Sequence, residues 1–201
     1  MSKKLMWIKI KRLIHRKMRK INTLFEKTRF KINGINYGDK LYIDGKVIIN
    51  NENEICIGDS VVINSSPRAN LAGGGRTSIQ VGKKGRLIIG NCVGMSNCII
   101  TAMTEVMIED YVLIGAGVKI YDTDFHPLQA KYRYGKEKSN DYVKMQPVKI
   151  KKGAFIGADS TILKGSVIGE NSVVGAASVV AGIIPDNEIW AGNPARFIKK
   201  I

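Results

Sequence analysis

An aliphatic residue recurs every six positions over the last third of the sequence. The aliphatic positions of this repeat are Ile150, Ile156, Ile162, Ile168, Val174 and Val180. A small residue stands four places after each of the first five, at Ala154, Ser160, Ser166, Ser172 and Ser178. Neither the 3.6-residue period of an α-helix nor the two-residue period of a β-strand produces this spacing. A six-residue repeat is typical of a parallel β-helix, in which short strands stack in coils.

The same period occurs earlier in the chain. Its further aliphatic positions are Ile108, Ile114 and Ile120 and, more loosely, Ile57, Ile63, Ile89 and Met95. Three hexapeptides make one triangular coil of about eighteen residues, in which the aliphatic residue stacks inward and the small residue fits where the chain bends. The sequence therefore predicts an all-β fold, with a β-helix over 37–190 and a C-terminal tail over 191–201.

The repeat is interrupted by one long stretch. Ile120 and Ile150 are thirty residues apart, which is five whole periods, but the sequence "DTDFHPLQAKYRYGKEKSNDYVKMQP" between them has no repeat. We therefore expect a loop over 122–147 to be extruded while the β-helix keeps its register. A loop of this length inside a compact solenoid is usually functional. His126 stands at its root, and because an imidazole titrates near neutral pH, His126 is the candidate general base.

The C-terminal sequence "TILKGSVIGENSVVGAASVVAGIIPDNEIWAGNPARFIKKI" resembles the last coils and tail of the hexapeptide-repeat acyltransferases, in particular acetyltransferases of bacterial polysaccharide synthesis. The resemblance spans roughly 40–201 and alone implies a left-handed β-helix, since parallel crossovers are otherwise right-handed. It implies acetyl-CoA as co-substrate, direct transfer without an acyl-enzyme, and no metal. In this family a histidine at the root of the loop, commonly followed by proline, is the base, and "FHP" at 125–127 matches it.

The resemblance also implies a homotrimer that binds coenzyme A along the C-terminal coils, between two subunits. The residues it assigns to coenzyme A are Ala158, Gly175 and Ala176 beside the pantetheine arm, Asn193 and Pro194 in the tail, and Arg196 and Lys199 near the phosphates. One departure concerns a lysine that contacts coenzyme A in relatives reading "VVTK", because this chain reads "VVAG" with Ala181 and Gly182. Lys164 or a lysine of the loop can replace that contact.

Candidate acceptor ligands lie near the loop. Asp122 and Asp124 can orient the imidazole of His126, bind the sugar, or be solvated loop carboxylates, and Asn97 lies one coil before the loop. The expected reaction is transfer of an acetyl group to a saccharide hydroxyl in capsule, lipopolysaccharide or exopolysaccharide synthesis. Acetylation of a xenobiotic, a free sugar or an amino sugar is the alternative enzyme function. A solenoid scaffold or binding module is the non-enzyme alternative, and it would not need His126.

The N-terminal segment, residues 1–36, differs from the rest in charge. Residues 1–31 contain twelve Lys or Arg and one acidic residue, a net charge of +11, whereas the other 170 residues carry +4. Apolar residues three or four apart form a helical stripe of Trp7, Ile10, Ile14, Met18, Ile21 and Phe25. Such a helix can lie on an anionic membrane, or its stripe can pack against the body or a neighbouring subunit. Nucleic acid binding is disfavoured, because the body has no basic groove with interleaved aromatic residues.

The N-terminal charges and the numbers of cysteines and histidines limit the cellular location and the reactions to be considered. Lys9, Lys11 and Arg12 interrupt the apolar residues of the N-terminal segment, which excludes a secretory signal and a membrane span. Three cysteines, an odd number, favour a reducing compartment over a disulfide framework, so we expect a cytoplasmic protein, with peripheral contact at the inner face of the membrane as an option. A β-helix carbonic anhydrase is excluded because it needs three histidine ligands and the chain has two histidines.

Overall fold

The computed structural model describes residues 3–66, 75–134 and 139–201. A long N-terminal helix precedes a series of short strands and turns. The helices are α1 (Lys3–Ile32), α2 (Ala130–Arg133) and a 3-10 helix (Asn140–Tyr142). The strands are β1 (Asn36–Tyr37), β2 (Tyr42–Asp44), β3 (Ile48–Asn51), β4 (Glu54–Ile57), β5 (Val62–Asn64), β6 (Ser78–Val81), β7 (Arg86–Ile89), β8 (Gly94–Ser96), β9 (Ile99–Ala102), β10 (Glu105–Ile108), β11 (Leu113–Ile114), β12 (Lys119–Tyr121), β13 (Val148–Ile150), β14 (Phe155–Ile156), β15 (Thr161–Ile162), β16 (Val167–Ile168), β17 (Val173–Val174), β18 (Val179–Val180), β19 (Ile183–Ile184), β20 (Glu188–Ala191) and β21 (Arg196–Lys200).

The strands form three parallel sheets, and each full coil adds one strand to each sheet. Sheet A runs β1-β4-β7-β10-β13-β16-β19, sheet B runs β2-β5-β8-β11-β14-β17-β20, and sheet C runs β3-β6-β9-β12-β15-β18. Strand β21 pairs antiparallel with β20 and closes the C-terminal end of sheet B. In the last coils Lys149 pairs with Val167 and Phe155 with Val173, both eighteen residues apart. Each hexapeptide is therefore one strand and one turn.

The aliphatic residue of each hexapeptide fills the interior of the coils. All six positions of the repeat from Ile150 to Val180 are buried, and their equivalents in adjacent coils stack on one another. Burying a Val or Ile side chain fully stabilises a fold by about 1.5–3 kcal/mol. The repeat thus supplies one core side chain per turn along the whole axis.

The small residue of each hexapeptide is buried where the chain turns between sheets. The hydroxyls of Ser160 and Ser178 both donate to the carbonyl of Gly175, at 2.9 and 2.7 Å. In the next turn the hydroxyl of Ser166 donates to the carbonyl of Val180 at 3.1 Å. The serines therefore donate to backbone carbonyls at the turns, including that of Val180, which also accepts the N–H of Leu163 at 2.9 Å.

The C-terminal half of α1 covers the open end of the first coil. The carboxylate of Glu26, which is 1% exposed, accepts the N–H of Val47 at 3.1 Å and a guanidinium N–H of Arg29 at 2.8 Å. The hydroxyl of Thr23 donates to the carbonyl of Ile43 at 2.7 Å and accepts its N–H at 3.2 Å. These polar side chains satisfy backbone groups that the terminal strands would otherwise expose.

The apolar stripe on α1 does not pack against the body. Trp7, Met18 and Phe25 are 61%, 62% and 65% exposed, and the other members of the stripe are exposed as well. Phe30, which lies outside the stripe, packs into the core instead. Of the expected roles, packing on the body is therefore wrong, because polar residues of α1 make that contact. No helix in the described part of the chain is long and apolar enough to span a membrane.

Candidate functional site

The interruption of the repeat is an excursion between sheets C and A. Residues 122–147 connect β12 to β13. Across this excursion Val106 pairs with Val148, 42 residues apart in sequence instead of 18. The excursion thus adds 24 residues while the register of the β-helix is maintained.

Backbone hydrogen bonds fix the root of the excursion to the body. The N–H of Asp124 donates to the carbonyl of Lys144 at 3.0 Å, and the N–H of Gln146 donates to the carbonyl of Asp122 at 2.9 Å. The outgoing and returning segments therefore run antiparallel, side by side. The first residues beyond this root have a defined position, whatever the conformation of the loop tip.

His126 lies immediately beyond the root and is exposed. The preceding Phe125 has a φ of +60°, a left-handed conformation that is uncommon for a residue with a side chain. Its N–H donates to the hydroxyl of Thr123 at 3.1 Å, and its ring packs edge-on against Tyr121 with centroids 5.2 Å apart. The N–H of His126 donates to the carbonyl of Asp124 at 2.7 Å. This tight turn holds the backbone while the imidazole faces solvent, where a substrate hydroxyl can reach it.

The carboxylate of Asp122 accepts hydrogen bonds from the preceding coil. It is 0% exposed and accepts the N–H of Met103 at 2.8 Å, the N–H of Thr104 at 2.6 Å and the hydroxyl of Thr104 at 2.9 Å. Three donors surround a carboxylate that presents no surface to solvent. The geometry therefore favours a structural role for Asp122 over the expected contact with an acceptor or with His126.

Asp124 is better placed than Asp122 to contact a ligand or the imidazole of His126. Its Oδ1 forms an ion pair with Nζ of Lys164 at 2.6 Å, and both side chains are about four-fifths buried. Its Oδ2 is buried and has no hydrogen-bond partner within the described ranges. A buried carboxylate oxygen without a donor costs stability, so this atom is suited to accept a donor from a ligand or from the imidazole of His126. Lys164, one of the two candidates to replace the lysine of "VVTK", is engaged in this ion pair.

Asn97 lies beyond the opposite end of sheet C from His126. It precedes β9, whereas His126 follows β12, and these two strands pair in parallel. Asn97 is buried, has a φ of +46°, and donates its N–H to the carbonyl of Asn64 at 2.7 Å. Topology therefore places Asn97 and His126 at different corners of the triangular coil.

The small residues assigned to coenzyme A lie at the same corner as Asn97. Ala158 and Ala176 occupy the turns between sheets B and C in successive coils, and the N–H of Ala177 donates to the carbonyl of Ala158 at 2.8 Å. Ala176 is exposed and Gly175 is partly exposed. Adjacent strands are about 4.8 Å apart, so these turns form a strip parallel to the axis on which small side chains let an extended ligand approach the backbone.

The tail continues this strip at the C-terminal end. Asn193, exposed like Lys199, occupies the equivalent turn between β20 and β21. Pro194 and Arg196 line a cavity of about 120 Å³. Ala181 and Gly182, which stand at the "VVTK" positions, line the same cavity. Their small size leaves room beside the exposed Arg196, and the second exposed cation, Lys199, lies farther along β21 opposite Ile189.

The residues that bind the carboxylates of Asp122 and Asp124 are difficult to predict from the sequence. Thr104 precedes Asp122 by eighteen residues, one coil, so the coil period could have located it. Lys164 follows Asp124 by forty residues and has no local signal. No group of three or more metal-ligating side chains occurs in the part of the chain that the structure describes.

Comparison with known proteins agrees with this architecture. Residues 147–182 match the family described as bacterial transferase hexapeptide (six repeats). Galactoside O-acetyltransferase of Lactococcus lactis is 36% identical over 98 residues, 49% of this chain and 44% of that protein. The dTDP-3-amino-3,6-dideoxy-alpha-D-galactopyranose 3-N-acetyltransferase of Aneurinibacillus thermoaerophilus is 56% identical over 48 residues, 24% of this chain and 25% of that protein. The chain thus spans half or less of the length of these curated relatives.

A solved structure extends the similarity to nearly the whole chain. A variant of AntD, an N-acyltransferase from Bacillus cereus, in complex with dTDP and coenzyme A, superposes with a TM-score of 0.69 at 26% identity. The match covers 86% of this chain and 88% of that one. The expected left-handed parallel β-helix is confirmed. The repeat, the three parallel sheets and these matches make the chain similar in fold to the left-handed β-helix hexapeptide-repeat acyltransferases, with the hexapeptide family model matched over residues 147–182.

Proposed function

We propose that the protein is an acetyl-CoA-dependent O-acetyltransferase that acts on a saccharide hydroxyl, with His126 as general base. The observation that carries this proposal is the exposed imidazole on a turn fixed by backbone hydrogen bonds at the root of the excursion. A scaffold would have no use for a histidine held in this way. The similarity to a galactoside O-acetyltransferase supports a sugar as the acceptor.

In the proposed reaction the imidazole of His126 takes the proton of the acceptor hydroxyl as its oxygen attacks the thioester carbonyl. The carbon–sulfur bond then breaks, and the imidazolium returns the proton to the leaving sulfur. The products are an acetyl ester and the free thiol of coenzyme A, and the enzyme regains its starting protonation state. General-base catalysis of this kind contributes about 10²–10⁴-fold to the rate.

The residues at the corner between sheets B and C fit coenzyme A. An extended pantetheine arm suits the partly exposed strip at Ala158, Gly175 and Ala176, whose own side chains are small. The diphosphate suits the exposed cations of the tail, Arg196 at the terminal cavity and Lys199 farther along β21. Asn193 and Pro194 complete this end of the site, and acetyl-CoA supplies an acetyl group activated as a thioester.

His126 and this strip lie at opposite ends of sheet C, and the proposal accounts for the separation with a homotrimer. In a trimer, His126 of one subunit can face the strip of its neighbour, so that each site uses two chains. Asn97 lies at the same corner as the strip and is a proposed acceptor ligand from the neighbour. Asp124, whose buried Oδ2 has no hydrogen-bond partner among the described residues, is the proposed ligand or imidazole-orienting group on the His126 side.

The acceptor is proposed to be a precursor of capsule, lipopolysaccharide or exopolysaccharide, acetylated in the cytoplasm. The second candidate is acetylation of an amino group on a nucleotide-linked sugar. It is favoured by the 56% identity over 48 residues to an N-acetyltransferase for such a sugar. The two candidates differ in the attacking atom and use the same base, so acceptor screening separates them.

The test is release of free thiol from acetyl-CoA, measured with a panel of sugars and nucleotide-linked amino sugars. His126→Ala should reduce turnover by about 10²–10⁴-fold. Coenzyme A affinity should change little, because the base acts on the acceptor side. His15→Ala, which removes the other histidine, is the control and should keep wild-type turnover. Turnover of His126→Ala at the wild-type rate would refute the assignment of the base.

A further inference from the structure

The N-terminal helix has an apolar face that the fold does not use. Its members are Met6, Trp7, Ile10, Leu13, Ile14, Met18, Ile21, Leu24, Phe25 and Ile32, and all are exposed. With 3.6 residues per turn, these ten side chains fall within an arc of about 140°. The exposed Ile8 lies off this arc. An exposed apolar face of this size usually marks a site where a protein binds another protein or a membrane.

The apolar face points away from the body, even where α1 is attached to it. Within one stretch of the helix, Thr23 and Glu26 bind the backbone of the first coil, while Ile21, Leu24 and Phe25 are 68%, 69% and 65% exposed. Globular folding normally buries the apolar side of a helix and leaves its polar side in water. Here the arrangement is inverted, so the apolar face is available for a ligand outside the subunit.

Positive charge borders this face. Placed on the same helical projection, Lys9, Lys20 and Lys31 follow one edge of the face, Lys11 lies at the other, and Lys17 falls inside the arc; all five are exposed. Glu26, the one acidic residue among residues 1–31, is buried against Val47 and Arg29. Among the described side chains of residues 1–31, every exposed ionised group is therefore cationic.

A second copy of the helix is a poorer occupant than a lipid surface. A coiled-coil seam with alternating three- and four-residue steps would run through Trp7, Ile14 and Ile21, but it also includes Lys17 and Thr28. Side-by-side packing would also bring together segments of +11 charge each. A wide apolar face containing Trp, Phe and Leu, bordered by lysines, is instead the pattern of a helix that lies in a membrane interface.

We propose that α1 binds the surface of an anionic bilayer, with its apolar face in the boundary between headgroups and acyl chains and its lysines on the lipid phosphates. The polar side of α1 remains attached to the first coil, so the β-helix is held at the membrane by its N-terminal end. This contact is independent of acetyl transfer. Its benefit, delivery of the active site to a lipid-linked saccharide, rests on the proposed function.

Vesicle sedimentation of the full-length protein tests the contact. The protein should bind vesicles containing phosphatidylglycerol far better than vesicles of phosphatidylcholine alone. Binding should weaken between 0.1 M and 1 M salt, as the Debye length falls from about 10 Å to about 3 Å. Phe25→Gln should lower the affinity by about tenfold, as expected for one apolar side chain withdrawn from the interface. Ile201→Gln is the matched control, since Ile201 is 66% exposed at the other end of the protein, and it should bind like wild type.

Fluorescence locates the helix on the vesicle. Trp7 lies on the apolar face, and Trp190, the other tryptophan, is partly buried in β20. In a Trp190→Phe background, Trp7 emission should shift to the blue and lose access to aqueous quenchers when phosphatidylglycerol vesicles are added. Unchanged emission would overturn the proposed orientation.

The outcomes also separate this proposal from its rivals. If a second copy covers the apolar face, the intact protein will ignore anionic vesicles and Phe25→Gln will lower the oligomeric state in sedimentation. Failure to bind anionic vesicles at low salt, or equal binding to both vesicle types, would refute the proposal. Phe25→Gln should retain acetyl transfer to a soluble acceptor, and His126→Ala should retain vesicle binding. Failure of the membrane contact and failure of the proposed enzyme function are therefore distinguishable.

Discussion

Replacement of Asp122 separates a structural carboxylate from a substrate ligand. In the structure its side chain is 0% exposed and accepts backbone N–H groups of Met103 and Thr104 at 2.8 and 2.6 Å. Asp122→Ala leaves these two donors without an acceptor. An unsatisfied buried donor costs about 1–3 kcal/mol. Because Met103 and Thr104 are themselves partly exposed, we expect the lower part of the summed range, about 2–4 kcal/mol.

For a chain of about 200 residues, each kcal/mol lowers the melting temperature by about 2–4 °C, so Asp122→Ala should melt about 4–16 °C below wild type. Asp122→Asn keeps one acceptor oxygen, so its melting temperature should lie between those of wild type and Asp122→Ala. Calorimetry or circular dichroism measures the shift, and acetyl transfer is assayed well below the melting temperature.

Asp124→Ala is the matched control. It removes the ion pair with Lys164, and because both side chains are about four-fifths buried, the ammonium of Lys164 left without its carboxylate should lower the melting temperature as well. Its effect should appear in the KM for the acceptor or in turnover. A wild-type melting temperature for Asp122→Ala, combined with a raised KM for the acceptor, would show that Asp122 contacts the substrate and that the structural reading is incorrect.

Two further predictions concern assembly and the cysteines. Sedimentation of the active protein should show a homotrimer, because His126 and the proposed coenzyme A strip lie at opposite ends of sheet C; an active monomer would contradict the shared site. Burial raises the pKa of the Cys98 thiol to about 12, so iodoacetamide at pH 8 should spare Cys98 in the folded protein and modify the exposed Cys92. Peptide mapping checks this, and modification of Cys98 without unfolding would indicate that its coil opens.

The six-residue period was sufficient to predict a parallel β-helix, and the left-handed sense followed only from the resemblance to the acyltransferases. Aliphatic side chains at Ile156, Ile162 and Ile168 have one environment in common, the interior of the coil, and the serines between them satisfy carbonyls at the turns. A repeat of this kind reports on contacts one coil away, so a local pattern contains long-range information. His126 was found in the same way, because an interruption is visible only against a regular period.

The partners of polar side chains were not predictable in this way. Asp122 and Asp124 are two residues apart and equally hydrophilic. The carboxylate of Asp122 nevertheless accepts backbone N–H groups of the preceding coil, whereas that of Asp124 pairs with Lys164. Which one retains a free oxygen depends on the direction each side chain takes at the root of the excursion. Sequence proximity to His126 placed both near the site, and only the hydrogen bonds distinguish them.

The sequence by itself determined the β-helix, the position of the excursion and the helical character of the N-terminal segment, because each depends on a periodicity of side-chain types along the chain. The tertiary structure alone decided which side of α1 faces the body. The open end of the first coil presents unpaired backbone groups at Ile43 and Val47, and polar side chains such as Thr23 and Glu26 satisfy them. Because these hydrogen bonds turn the polar side of α1 toward the body, its apolar face remains in solvent. A hydropathy pattern predicts the burial of apolar surface and contains no information on such hydrogen bonds.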